Sequence, residues 1–122
     1  MTTLVDTSVW RHYFNGTLST DAARMDALLD QDDALACHPA VLGELILGGL
    51  STQHEGLLAQ LPRLAEVSSQ DVLVFIRTHK LAHKGVGWVD SQLLASAVNA
   101  NARLWAIDKG LRAAADSLGV AF

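Results

Sequence analysis

Near the N-terminus, in Leu4–Ser8 (LVDTS), a short apolar run is followed by an acidic residue and two residues with hydroxyl side chains. A second run, Arg103–Ile107, is followed in the same way by Asp108. Between them, short apolar runs alternate with segments of helical spacing, which favours a parallel sheet covered by helices on both faces. In such sheets the carboxyl ends of the strands open into the crevice where chemistry usually takes place. Asp6 and Asp108 are therefore each either a helix N-cap or a ligand of a site at that edge.

The same patterning places further elements along the chain in the alternating order typical of an α/β protein. The predicted strands are Thr2–Asp6, Ala34–Cys37, Leu64–Val67, Arg103–Ile107 and Val120–Phe122. The predicted helices are Ser8–Phe14, a helix capped by Ser19 or Thr20, Ala40–Leu47, Gln53–Leu61, Asp71–His83, Trp88–Ala102 and Leu111–Leu118. No repeat, low-complexity segment or linker interrupts them. We therefore expect residues 1–122 to form one α/β domain with a central, mostly parallel sheet of four or five short strands.

Composition restricts the classes of protein to which this chain can belong. Half of its 122 residues are apolar, which suffices for a core and argues against intrinsic disorder. The single cysteine, Cys37, excludes an intrachain disulfide and favours a reducing compartment. No stretch has the pattern of a signal peptide or a run of about 20 apolar residues, so we expect a soluble cytoplasmic protein with no membrane partner.

The charges are distributed unevenly along the chain. Residues 1–61 carry two Lys or Arg against eight Asp or Glu, whereas residues 62–122 carry seven against five. The net charge of −4 argues against tight non-specific binding of nucleic acid, but the second half could still contact phosphates. The candidates for RNA contact are Lys80, Lys84, Lys109 and Arg112. Their sequence pattern is the same as that of ordinary basic residues on a protein surface.

Glu44 is the residue whose position is hardest to explain by structure alone. It is the only polar side chain in residues 40–50 (AVLGELILGGL), a pattern typical of a helix that is buried all round. A lone carboxylate there needs a cation, hydrogen-bond donors or protonation, because an isolated buried charge is very costly. Taken alone, Glu44 leaves a structural role and a functional one equally open.

Four carboxylates are predicted to meet at one edge of the sheet. Asp6 and Asp108 end strands, while Glu44 and Asp90 are predicted near the starts of helices that follow strands. Two unit charges about 4 Å apart cost about 4 kcal/mol at an effective dielectric near 20, so such a cluster is hard to justify without a divalent cation. Oxygen ligands without Cys or His select hard ions, which stabilise charge at a phosphoryl group and activate water. Each Asp taken alone is also explained as a cap, but together the acids predict a Mg²⁺- or Mn²⁺-dependent phosphoryl-transfer site.

Four segments that contain these acids resemble, in order, the acidic motifs of the PIN-domain ribonucleases and, among them, the VapC toxins of bacterial toxin–antitoxin pairs. The segments are DTSVW (6–10), HPAVLGEL (38–45), GVGWVDSQLLASA (85–97) and RLWAIDKGL (103–111). The resemblance covers essentially the whole chain. One departure is Ala106, which stands where the family often has Thr two residues before the last acid. The lost hydroxyl is expected to weaken the placement of Asp108.

The resemblance implies a PIN-like three-layer α/β/α sandwich formed by a single domain over residues 1–122. The family's catalytic and metal-binding acids correspond to Asp6, Glu44, Asp90 and Asp108. The hydroxyl of Thr7 or Ser8 would support the first of them. The resemblance also implies endonucleolytic cleavage of RNA (tRNA, rRNA or mRNA) with Mg²⁺ or Mn²⁺, inhibition by a VapB-type antitoxin, and a homodimer.

Two other functions stay open from the residues alone. A phosphatase acting on small molecules would use Asp6 as an aspartyl nucleophile, but such sites usually carry a second Asp two residues later, where this chain has Ser8. A phospho-receiver or similar regulatory module would need an acidic pair near the first strand, and this chain instead has its unexplained Glu44 inside a predicted helix. Assays with RNA, with a phosphate ester and with acetyl phosphate separate the three.

Overall fold

The computed structural model describes all residues, 1–122, and shows helices packed around a small parallel sheet. The strands are β1 (Thr3–Val5), β2 (Leu35–Ala36) and β3 (Arg103–Trp105). The helices are α1 (Thr7–Phe14), α2 (Ala22–Leu29), α3 (Pro39–Leu47), α4 (Thr52–Ala59), α5 (Ser69–Thr78), α6 (Trp88–Asn99) and α7 (Lys109–Ser117). One 3₁₀ turn, Ser19–Asp21, precedes α2. The predicted α/β class is confirmed.

The sheet has the order β2-β1-β3, and all strands are parallel. In the central strand β1, Thr3 pairs with Leu35 on one side and with Arg103 on the other. All three residues of β1 are buried, and because successive side chains point to opposite faces, both faces of the sheet are covered. The chain passes from β1 to β2 on one side and returns to β3 on the other. The carboxyl ends of β1 and β3 therefore lie at the switch point where α/β proteins bind ligands.

The sheet has three strands, so the prediction of four or five was wrong in number. The third predicted strand, Leu64–Val67, does not form, and only the preceding residue Arg63 makes a parallel bridge, to Cys37. The last predicted strand contributes one bridge, between Leu104 and Ala121. An apolar pattern indicates that a segment packs near a sheet. Whether the segment becomes a strand depends on how far it runs alongside the neighbouring strand, because only that determines how many backbone hydrogen bonds form.

One hydrophobic core of 22 buried residues joins the sheet to the helices. Its fully buried side chains include Trp10 of α1, Met25 of α2, Leu58 of α4 and Leu93 of α6. Elements from the whole length of the chain therefore pack into the same core. None of the helices combines the length and the apolar character needed to span a membrane.

The predicted helix Asp71–His83 is shorter in the structure, where it ends at Thr78. Lys80, directly after the C-cap His79, has a positive φ of 54°, which interrupts the helical backbone, and His83 has a second one of 63°. Leu81 continues the helical spacing of apolar residues and is buried, but it lies in the loop after the helix. The segment 79–87 is therefore a loop that leads into α6, and this loop takes part in the site described next.

Candidate active site

Asp6 directly follows β1 and occupies the N-cap position of α1. Its side chain caps no backbone N–H of that helix; instead, its Oδ2 accepts a 2.8 Å hydrogen bond from Ser8 Oγ. Only 7% of Asp6 is exposed. Its backbone N–H donates to the carbonyl of Trp105 at 2.9 Å, which ties it to the end of β3. A capping bond therefore does not explain why an acid stands here.

Glu44 lies in the middle of α3 and is half-buried. Its Oε1 accepts a 2.6 Å hydrogen bond from the Oγ1 of the buried Thr7, which joins α3 to the first turn of α1. The expectation that α3 is buried all round was wrong, because Ile46 is 49% and Leu47 is 88% exposed. Glu44 thus belongs to the side of α3 that contacts α1, and a hydroxyl donor balances part of the cost of burying its carboxylate.

Asp90 is the third residue of α6, and its Oδ2 accepts a 3.1 Å hydrogen bond from the backbone N–H of Gly87. The prediction that this helix follows a strand was wrong, because α6 follows α5. Only residues 100–102 separate α6 from β3, so the helix runs back along the sheet. Its first turn therefore lies at the carboxyl end of the strands. Asp90 is thus at the predicted edge of the sheet, on a helix that runs antiparallel to the strands.

Asp108 is the exposed N-cap residue of α7. Its Oδ2 accepts a 3.0 Å hydrogen bond from the backbone N–H of Leu111. A cap accounts for this acid in structural terms. The nearby Ala106 is buried and brings no hydroxyl, so the cap is the contact that orients Asp108.

Gly110 allows the loop before α6 to approach α7. A Cβ at this position would lie 3.0 Å from the carbonyl oxygen of Lys84 and 3.1 Å from that of Gly85. This contact draws the start of α6, and with it Asp90, towards Asp108. The local sequence pattern does not reveal this role of Gly110, whose one signal is its position two residues after Asp108 in a family-like segment.

The other three acids lie close enough to Asp90 to influence its ionisation. Burial is the main cause that raises the pKa of Asp90, and the hydrogen bond from Gly87 partly opposes it. Three neighbouring charges raise the same pKa further, those of Asp6, Asp108 and Glu44. The structure thus brings all four acids to the switch point between β1 and β3.

The donor chemistry of this cluster, which we call the carboxylate site, fits a hard divalent cation. In each of the four side chains one oxygen takes part in a hydrogen bond within the chain and the second does not. No three His, Cys, Asp or Glu side chains lie close enough to form a ready-made metal-binding group. The arrangement therefore suits an ion held by one or two carboxylates and completed by water, which is the usual way that proteins bind Mg²⁺.

The four basic residues predicted to contact RNA are all exposed, namely Lys80, Lys84, Lys109 and Arg112. Lys84 lies in the loop that contacts Gly110, and Lys109 is next to Asp108, so these two are the nearest in sequence and contact to the carboxylate site. No observation in the structure assigns any of the four to RNA, and their role stays a prediction.

Two relatives cover almost the entire chain. Ribonuclease VapC32 of Mycobacterium tuberculosis, strain CDC 1551 / Oshkosh, is 41% identical over 121 residues, which are 97% of this chain and 94% of that protein. Ribonuclease VapC32 of strain ATCC 25618 / H37Rv matches with the same identity and coverage. No protein-family model matches the chain. Because identity at this level extends over nearly the full length of both proteins, the chain belongs to the VapC-type PIN-domain ribonucleases.

Proposed function

We propose that this protein is an endoribonuclease toxin that hydrolyses RNA at the carboxylate site with the help of Mg²⁺ or Mn²⁺. The observation that carries the proposal is the convergence of four hydrogen-bonded acids at the switch point of a parallel sheet, where three of them lie close enough to Asp90 to raise its pKa. Like charges gather at one place only at an energetic cost, so the cluster is better explained by function than by stability. The relatives named as ribonucleases support RNA as the substrate.

The chain's own residues would orient the acids for this chemistry. A bound Mg²⁺ or Mn²⁺ would supply charge stabilisation at the scissile phosphate and a lowered pKa for water. Ser8 holds the carboxylate of Asp6, and Thr7 holds that of Glu44. Such supporting contacts leave the second oxygen of each acid in a defined position, from which one or two of the acids would bind the ion and the others its water ligands. Backbone N–H groups do the same for the remaining two acids.

A cleavage assay on total RNA with mapped ends tests the proposal. The wild type is expected to cut RNA in Mg²⁺ or Mn²⁺ and not in EDTA, and Asp90→Asn is expected to fold and to lose cleavage. Asp71→Asn is a matched control, because Asp71 is the third residue of α5 as Asp90 is of α6, and it is exposed. Cleavage that persists in EDTA or in Asp90→Asn would contradict the proposal.

The same preparations separate the other two functions. A phosphatase would turn over a generic phosphate ester and leave RNA intact. A phospho-receiver would gain the mass of one phosphoryl group during incubation with acetyl phosphate, measured on the intact protein. RNA cleavage without either result supports the endoribonuclease.

A VapB-type antitoxin is the proposed inhibitory partner, and the acidic first half of the chain supports a basic docking segment. A cleft of about 640 Å³ lies between the end of α2 and α4. Its acidic lining residues are Asp26, Asp30, Asp32 and Asp33, and its apolar ones include Leu57 and Leu61. The antitoxin is expected to abolish cleavage by the wild type and to inhibit an Asp30→Lys/Asp32→Lys variant less well. Undiminished cleavage in excess antitoxin would argue against this partner.

A homodimer is the proposed oligomeric state. Leu73 and Val74 of α5 are 42% and 52% exposed, and Val98 of α6 is 37% exposed, although α5 and α6 pack against each other. Apolar side chains gathered on neighbouring helices are typical of an interface. Light scattering is expected to give twice the 13.1 kDa of one chain, and Val74→Asp is expected to give a monomer. A monomeric wild type would contradict this proposal.

A further inference from the structure

A second cleft is formed partly by α1 and α3, the helices that carry Thr7 and Glu44, and has a different chemistry. Its volume is about 260 Å³, and it is formed where the end of α1, the end of α3 and the start of α4 meet. Its polar side chains are Arg11, Asn15, Ser51 and His54. No acidic side chain lines it, although it lies in the acidic half of the chain. We call it the Arg11 cleft.

Arg11 is the source of positive charge in this cleft. It is one of only two Lys or Arg within residues 1–61. Its Nη2 donates one long hydrogen bond, 3.4 Å, to the backbone carbonyl of Glu44 and lies 3.5 Å from where a Cβ on Gly48 would be. Most of the five N–H donors of the guanidinium are therefore available to a ligand, and the side chain is exposed.

Glu44 connects the Arg11 cleft to the carboxylate site. Its side chain accepts a hydrogen bond from Thr7, and its backbone carbonyl accepts one from Arg11. Thr7 and Arg11 are four residues apart on α1, which is a rise of about 6 Å. An RNA strand whose scissile phosphate lies at the carboxylates would therefore carry a neighbouring phosphate past this guanidinium.

The wall of the Arg11 cleft is held in place by a stack of aromatic rings. Phe14 stacks on the buried Trp10 with ring centroids 5.5 Å apart, and His54 stacks on Phe14 at 4.0 Å with an interplanar angle of 9°. His54 also lies in the first turn of α4, where Ser51 Oγ accepts its backbone N–H. The positive end of the α4 dipole adds to the charge of Arg11, and Glu55 in the same turn, which does not line the cleft, offsets part of it.

We propose that the Arg11 cleft binds a phosphate of the RNA strand next to the phosphate that is cleaved. Arg11 makes the charged contact, and His54 lines the same pocket. The inference rests on the proposed ribonuclease function, since it assigns a further contact to the same substrate. An acidic segment of a protein partner has a related chemistry, but continuity with the carboxylate site through Glu44 favours the substrate strand.

Binding of a labelled single-stranded RNA at several salt concentrations tests the inference. The Asp90→Asn protein is used as the host, so that the RNA stays intact. Adding Arg11→Ala is expected to weaken binding about tenfold and to reduce the slope of log K against log salt by about 0.7, the value for one phosphate contact on a single strand. Arg77→Ala, an exposed arginine at the end of α5, is the matched control and is expected to change neither quantity.

Two further variants separate charge from folding. Arg11→Lys keeps the charge and is expected to retain the salt slope with part of the affinity. His54→Phe keeps the stack on Phe14 but removes the ring nitrogens, and is expected to lose less affinity than Arg11→Ala. Circular dichroism checks that each variant folds.

Three outcomes would overturn the inference, and they differ in whether the proposed ribonuclease function remains supported. Unchanged affinity and salt slope in Arg11→Ala would refute the phosphate contact, while cleavage by the wild type would still support the ribonuclease. Weakened binding of the antitoxin without any effect on RNA would assign the cleft to a protein partner instead. A wild type that neither binds nor cuts RNA would remove the proposed function and this inference with it.

Discussion

The junctions β1–α1 and β3–α7 have the same sequence pattern and different structures. In each, a strand is followed by an Asp at the N-cap position of the next helix. Asp108 caps its helix by accepting the backbone N–H of Leu111, whereas Asp6 caps nothing and accepts the hydroxyl of Ser8. Helix capping therefore accounts for the acid at β3–α7 and does not account for the one at β1–α1.

The two residues after each Asp produce this difference. Thr7 and Ser8 follow Asp6, and their hydroxyls donate to Glu44 and to Asp6 itself. Lys109 and Gly110 follow Asp108; neither has a hydroxyl, and Gly110 instead admits the loop before α6. The first junction orients carboxylates with side chains, and the second does so with backbone groups.

The largest expected difference between the junctions is in catalysis. Asp6→Asn is expected to lower the single-turnover rate of RNA cleavage about 10³-fold, equivalent to about 4 kcal/mol, because it removes charge from the nearly buried side of the proposed metal site. Asp108→Asn keeps an oxygen for the cap and is expected to cost roughly tenfold. Equal losses of cleavage rate in the two variants would show that the two junctions contribute equally to catalysis and would contradict this comparison.

The residues that follow the acids should differ next. Thr7→Val removes the donor to Glu44 with little change in shape, and is expected to lower cleavage about 10–100-fold and to raise the Mg²⁺ concentration needed for half-maximal rate. Lys109→Ala, at the equivalent position of the other junction, is expected to leave that Mg²⁺ requirement unchanged. A Thr7→Val enzyme with the wild-type rate would show that Glu44 needs no orienting hydroxyl.

A smaller effect concerns stability. Gly110→Ala would place a Cβ about 3 Å from two backbone oxygens and is expected to lower the free energy of unfolding by about 1–2 kcal/mol, measured in urea. Ser8→Ala, two residues after the other acid, creates no clash and is expected to cost about 1 kcal/mol or less. Wild-type stability in Gly110→Ala would mean that the loop before α6 can move aside.

The smallest effect concerns β2–α3, a third strand-to-helix junction, where a histidine is the cap. Nδ1 of the buried His38 accepts the backbone N–H of Ala40 at 3.0 Å. Burial lowers the pKa of His38, and Glu66 partly opposes this shift. The native state therefore binds fewer protons than the unfolded state, so stability is complete above the unfolded pKa of about 6.5 and falls as the pH drops towards the folded value.

His38→Asn isolates this contribution, because Asn also accepts the capping bond but does not titrate. The wild type is expected to lose more free energy of unfolding than His38→Asn between pH 7.5 and pH 5. An identical loss in both proteins would show that His38 does not contribute to the pH dependence.

Local patterns predicted the helices well, because capping and apolar spacing act over a few residues. Helix α3 begins at Pro39 after His38, as expected from the preference for proline in the first turn. Prediction failed where an apolar pattern extended beyond the element it suggested. Leu81 fits helical spacing but lies in the loop after α5. The predicted strand Leu64–Val67 does not form, and the one at the C-terminus makes a single bridge through Ala121. The catalytic role of the four acids stays a prediction.

The sequence by itself determined the identity of the acids, the family and the approximate positions of most elements. Only the tertiary structure decided that Asp108 caps a helix and Asp6 does not, and that α6 reaches the site from the opposite direction. The contact between Thr7 and Glu44 joins residues 37 positions apart, and the approach of the loop to Gly110 depends on packing. Electrostatic interaction depends on distance in space, so the effect of the other three acids on the pKa of Asp90 is a property of the fold and not of their spacing along the chain.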